Sequence, residues 1–213
     1  MIPIEKEKKR AGEILAELKE EYPEVKIALD FKNPFQLLIA TILSAQCTDA
    51  RVNIVTKELF KKYKKPEDFI DATPDELEKD IYSTGFYKQK AKSIKECCKT
   101  LVDKYESKVP SDFEMLTKLP GVGRKTASVV AGNGFGIPAV AVDTHVKRIS
   151  NLLGFIESED PVKIELRLKE LFKEKDWVIL SHLIATHGRN ICIARKPKCD
   201  CCVISKLCPS SKV

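Results

Sequence analysis

Five of the eight cysteines, Cys192, Cys199, Cys201, Cys202 and Cys208, crowd into residues 192–208. Four follow the spacing C-x6-C-x2-C-x5-C, close enough for four thiolates to wrap one metal centre. Structural zinc competes, although zinc sites usually pair two well-separated CxxC or Cys/His knuckles. A single CxxC in a compact loop favours an iron–sulfur cluster. Cys201 is a rival ligand within CDCC and is set aside as the spare, because its use would give C-x1-C. Ligation would pin the intervening IARKPK, making Arg195, Lys196 and Lys198 a fixed basic loop suited to phosphate. A generic basic loop is the plain alternative. Cys47, Cys97 and Cys98 lie in apolar or helical stretches and read as small buried hydrophobes.

The string LPGVGRKTA at 119–127 interrupts a helical pattern. Two glycines in three residues permit positive φ and close approach of a foreign backbone. A helix starting near Lys125 would direct its unbonded N–H groups beside them, an anion site. A bare GxG turn would be an ordinary helical hairpin. The full string resembles the helix-hairpin-helix element of DNA repair enzymes, which grips duplex backbone without reading sequence.

Lys125 opens that helix among small and apolar residues. A cation there opposes the helix dipole. Functionally the same field, with partial burial, favours a neutral and nucleophilic amine; a solvated lysine is the bland reading. Asp143, where the apolar run AVAV meets a helix start, is a natural N-cap carboxylate. Poor solvation there would also suit it to proton transfer.

The elements that must position these groups read as helices. Residues 4–21, a helix from Asn33-Pro34, one capped at Thr48 or Asp49, starts at Pro66 and Thr73-Pro74, and 88–104 all carry apolar positions at helical spacing. A short DFEMLTK helix, one to about Gly132, and helices at 141–153, 160–173 and 175–188 complete the chain. No segment alternates at period two, so the expected class is all-α. GNGFGIPAV at 132–140 is the best domain boundary.

With 213 residues and 43% apolar content the chain can bury one large or two small cores, which excludes global disorder. Lys and Arg number 37 against 31 Asp and Glu, a net +6 that suits solubility as well as nucleic acid. No apolar run is long enough to span a membrane, and the charged start MIPIEKEKKR lacks a secretory core. Three Gln and five Asn in a Lys/Glu-rich chain suggest a thermophilic source. Cysteines in a chain without an export signal point to a reducing compartment and to ligation rather than disulfides.

Taken together, SAQCTDARVN, LPGVGRKTA, VDTH and HGRNIC-x6-C-x2-C-x5-C, in this order from about Asn33 to Cys208, resemble the endonuclease III family of base-excision DNA glycosylases. The resemblance implies two helical domains flanking a DNA-binding cleft. One is a six-helix domain at 27–137 that holds the hairpin. The other is a discontinuous domain of 1–26 and 138–213, with a [4Fe-4S] cluster on Cys192, Cys199, Cys202 and Cys208. It implies Lys125 as nucleophile and Asp143 as acidic partner, in a bifunctional glycosylase and AP lyase acting on damaged pyrimidines in double-stranded DNA. Gln46 would fill the gap left by an extruded base. Gly121, Val122 and Gly123 would hold phosphate through backbone N–H groups, with Arg124, Thr144 and His145 beside the DNA. The wedge loop departs from the family's aliphatic pair: YSTGFY offers Thr84 and Phe86. A monomer in the cytoplasm, associated with the nucleoid, is expected. The alternatives are a monofunctional mismatch glycosylase and a non-enzymatic helix-hairpin-helix module.

Overall fold

The computed structural model describes residues 3–213, and no strand occurs among them. The eleven α-helices found there are α1 (Ile4–Glu21), α2 (Pro34–Leu43), α3 (Asp49–Lys62), α4 (Pro66–Asp71), α5 (Pro74–Ile81), α6 (Tyr87–Tyr105), α7 (Phe113–Thr117), α8 (Arg124–Phe135), α9 (Thr144–Leu152), α10 (Pro161–Leu171) and α11 (Trp177–Asn190). The chain is all-α, as the periodicity predicts. No helix of the described residues is long and apolar enough to cross a membrane.

Local chemistry sets the helix starts. Asn33, Thr48, Thr73, Asp112, Asp143 and Asp160 each accept a hydrogen bond from the opening turn of the helix they precede. Such caps contribute typically about 1 kcal/mol each. Proline follows directly at the start of α2, α5 and α10, where its missing N–H leaves no bond unmade.

The chain divides into two compact units, Ile27–Ile137 and Met1–Lys26 with Pro138–Val213. The first carries α2 to α8, and residues 66–81 form two short helices that start at Pro66 and Pro74, as the sequence predicts. Its centre is α2, buried from Leu37 to Leu43. α8 lies along α2 so closely that a Cβ at Gly134 would touch Pro34 and Leu37 at 3.4–3.5 Å. That contact carries α8 past Gly132 to Phe135, beyond the expected end, and Gly136 closes it at φ +68°. Tertiary packing here overrides the weak helix propensity of glycine.

The second unit packs α1 against α10 and α11, and α9 against α11. Ile14 and Leu18, Ile149, Leu168, Leu180 and Leu183 share its core. The Arg167 guanidinium of α10 pairs with Glu7 of α1 and also donates to the Phe155 carbonyl at 3.0 Å.

Candidate active site and cysteine cavity

The hairpin joins α7 to α8 through residues 118–123. Gly121 sits at φ +75°, and a Cβ there would lie 2.8 Å from the Cβ of Ser93 on α6. Both conformation and space therefore demand glycine. Gly123 is the extended N-cap of α8 and offers no side-chain acceptor. The opening turn of α8 thus presents the amide donors that every helix N-terminus leaves unbonded. Val122 corrects the sequence expectation: its N–H already donates to the Leu119 carbonyl at 3.1 Å, and its side chain is buried. Its role is to close the turn. Arg124 is exposed, with its guanidinium over the Phe113 ring at 4.9 Å, which ties the two helix starts together.

Lys125 is exposed on the opening turn of α8. The expected partial burial is absent, because the small residues after it turn inward toward α2 and leave the amine outside. The position beside the helix N-terminus remains. Asp143 caps α9, its Oδ1 accepting from the Val146 N–H at 2.8 Å. Burial, and then the Arg189 charge, lower the pKa of His182 on α11, while Asp143 raises it. Thr144 is exposed. His145 is half-buried, and its Nδ1 edge faces α11: a Cβ at Gly188 would lie 2.8 Å from that atom. Nδ1 has no hydrogen-bond partner among the described residues. This edge of His145 serves helix packing rather than an outward contact.

Gln46 and Phe86 share an unusual backbone. Both are non-glycine residues in the left-handed region, at φ 52° and 48°. Such conformations cost about 1–3 kcal/mol and persist where the surroundings over-determine them. Both side chains are exposed, Phe86 at 65%. Thr84 corrects the expected wedge pair. It is 2% exposed, and its hydroxyl donates to the Ile81 carbonyl at 2.8 Å. The exposed companion of Phe86 in this loop is Tyr82, whose ring lies 4.7 Å from that of Tyr87. The three-residue period of the 3-10 turn, not residue type, stacks Thr84 on the buried side of Ile81 and leaves Tyr82 and Ser83 outside.

Cys192, Cys199, Cys202 and Cys208 all line one cavity of about 220 Å³. Cys201 does not; it is exposed and donates to the Lys198 carbonyl. Arg195, Lys196 and Lys198 are exposed on the loop between the first two thiols. Burial raises Cys202 and Cys208 above the ordinary thiol value, and the neighbouring cysteines add to it. Polar side chains also meet two of the thiols. Arg148 Nη1 lies 3.6 Å from Cys192 Sγ, and His187 Nε2 lies 3.4 Å from Cys202 Sγ. Among the described residues no three Cys, His, Asp or Glu side chains close on a single ion. A single zinc would need its sulfurs about 2.3 Å from one point. Four thiols spread around so large a cavity fit a multinuclear group better. Cys97 and Cys98 are buried as expected, and burial pushes Cys97 up to about 12. Cys47 is only half-buried, because it lies in the turn after α2 rather than within the helix.

The family model of the HhH-GPD superfamily base excision DNA repair protein matches residues 39–174. Endonuclease III of Synechocystis sp. is 48% identical over 206 residues, covering 96% of this chain and 94% of the relative. Endonuclease III of Bacillus subtilis is 46% identical over 188 residues, covering 88% and 86%. A solved trapped endonuclease III–DNA covalent intermediate, an estranged-adenine complex, aligns with a TM-score of 0.92 and 45% identity over 99% of this chain and 97% of that one. With a hairpin built around Gly121, an amine on the next helix turn and four thiols around one cavity, the chain belongs to the endonuclease III family within the HhH-GPD superfamily of base excision DNA repair proteins.

Proposed function

We propose that this protein is a bifunctional DNA glycosylase and AP lyase that removes oxidised pyrimidines from duplex DNA. The observation that carries the reading is the alignment, over 99% of this chain, with an endonuclease III trapped covalently on DNA. A covalent intermediate needs a nucleophile on the enzyme. Lys125 supplies an exposed primary amine one residue into the helix that follows the hairpin.

A base stacked in a duplex cannot be attacked in place, so the nucleotide is extruded, at a cost of a few kcal/mol that a damaged base lowers. The Gly121–Gly123 turn and the opening of α8 hold a phosphate of the bent strand. Phe86 enters the stack, and Gln46 occupies the space of the departed base. The Lys125 amine bonds to the sugar C1′, and the glycosidic C1′–N bond breaks with release of the base. Asp143 accepts the proton that the amine loses. The sugar ring then opens as the C1′–O4′ bond breaks and O4′ takes up a proton, and the imine so formed acidifies the C2′ hydrogen. Its removal expels the 3′ phosphate, and water then hydrolyses the imine to free the lysine. DNA lying over Lys125 supplies the desolvation that the free protein does not.

Cys192, Cys199, Cys202 and Cys208 would hold a [4Fe-4S] cluster, and ligation of these four thiolates would fix the loop bearing Arg195, Lys196 and Lys198 for phosphate contact. The protein acts as a monomer on nucleoid DNA in the cytoplasm.

Borohydride reduction during turnover on a duplex with one oxidised thymine tests the reading. A covalent protein–DNA adduct is expected from the intact chain. Lys125→Gln should abolish the adduct and strand cleavage while retaining affinity for damaged DNA. Adduct formation undiminished in Lys125→Gln would refute the assignment.

A further inference from the structure

We propose that Lys90 is a positioning residue that locks the loop carrying Gln46 to the loop carrying Phe86, so that both enter a duplex as one unit. The inference rests on the reading of those two residues as the groups that intrude into DNA. Lys90 lies in the first turn of α6 and is 5% exposed. Its ammonium donates to the Leu43 carbonyl at 2.7 Å and to the Thr84 carbonyl at 2.8 Å. Leu43 ends α2, three residues before Gln46. Thr84 ends the 3-10 turn, two residues before Phe86.

The two carbonyls are 41 positions apart in sequence, and one buried cation holds both (84 − 43 = 41). No carboxylate of the described residues pairs with it, so these neutral carbonyls offset its burial. Burial accordingly lowers its pKa, partly opposed by Cys47. A buried charge is a poor choice where packing alone is required, since an apolar side chain of similar length fills space without desolvation. What the ammonium adds is a fixed separation between two backbone points. Just beyond each point, the chain turns through a left-handed residue that is not glycine, Gln46 on one side and Phe86 on the other. Strained conformations of this kind need an external constraint, and Lys90 supplies one to both loops.

The test compares Lys90→Met with the unaltered chain on two substrates. One is a fully paired duplex with a single oxidised thymine. The other carries an abasic site facing three abasic residues, where phosphates remain but no base needs wedging or replacing. Rates are taken per molecule competent for borohydride trapping on the second substrate, which removes any loss of folded protein. Excision from the paired duplex should fall roughly tenfold or more, as small misplacements do, with cleavage of the second substrate nearly unchanged. In a Gln46→Ala/Phe86→Ala background Lys90→Met should add less than about twofold, because coupled residues are not additive. Lys90→Gln, which keeps a donor for one carbonyl, is measured in the same way and replaces Lys90→Met if that variant does not fold. Equal losses on both substrates, or a full additional loss in the double-variant background, would overturn the proposal and leave Lys90 a structural residue. If Gln46→Ala/Phe86→Ala itself leaves paired-duplex excision intact, the reading of those residues fails and takes the proposal with it. If that double variant is impaired and Lys90→Met is not, the lock alone fails.

Discussion

Gly121→Ala places a methyl group where the hairpin has no room. The left-handed φ of +75° costs an L-residue about 1–2 kcal/mol. The new Cβ would lie 2.8 Å from Ser93 Cβ, a contact with the root of a helical side chain that cannot swing away. Overpacking of this kind adds about 1–3 kcal/mol. The variant should therefore lose about 2–5 kcal/mol of stability by urea denaturation. Ser93→Gly removes the clashing atom but leaves the φ penalty, and by itself costs about 0.5–1 kcal/mol as a helix-interior glycine. The double variant should recover about 1–3 kcal/mol relative to the sum of the two single changes. Because the hairpin shifts, DNA affinity should also fall equally for damaged and undamaged duplex. Additivity within about 0.5 kcal/mol would refute the steric argument. Unaltered affinity would refute the placement of phosphate at this turn.

Lys95 donates to the carbonyls of Phe69 at 3.1 Å, Ile70 at 2.7 Å and Ala72, capping the C-terminal end of α4. Lys95→Met should cost about 1.5–3 kcal/mol in urea, the range for hydrogen bonds to a charged group, and a change below about 0.5 kcal/mol would count against the cap. Cys202→Ser should lower the iron content and visible absorbance of the purified protein while Cys201→Ser leaves both intact; the reverse pattern would exchange the spare and the ligand. Burial holds His182 below its ordinary 6.5 in the folded state, so the unfolded chain takes up the proton first. Its contribution to stability is full above about 6.5 and is lost as pH falls from there through the folded value. The drop in Tm between about pH 7 and pH 5 should shrink in His182→Gln, and an undiminished drop would show that this histidine is not the source. Gly188→Ala should disorder the α9–α11 crossing, since its Cβ meets His145 and Ile149 at 2.8 Å, and should cost about 1–3 kcal/mol in Tm-derived stability; a neutral result would show that His145 can move aside.

The sequence by itself determined what depends on neighbours along the chain. Helical periodicity, the cap residues Asn33, Thr48, Thr73 and Asp143, the Gly-x-Gly hairpin and the spacing of four cysteines are local signals, and most helix starts follow them within about a residue, although α9 and α11 begin three and two residues later than the expected 141 and 175. Only the tertiary structure decided which groups face solvent and which backbone donors are already used. Thr84 and Tyr82 are two residues apart, yet a 3-10 turn buries one and exposes the other. The Val122 N–H is consumed by Leu119, and Lys125 stands outside because the residues after it turn toward α2. The left-handed backbone of Gln46 and Phe86 has no local signature, since neither is glycine, and Lys90 reads in sequence as one surface cation among many. Its two carbonyl partners meet only when α2, the 3-10 turn and α6 pack together, and periodicity along one helix carries no information about a bond between three.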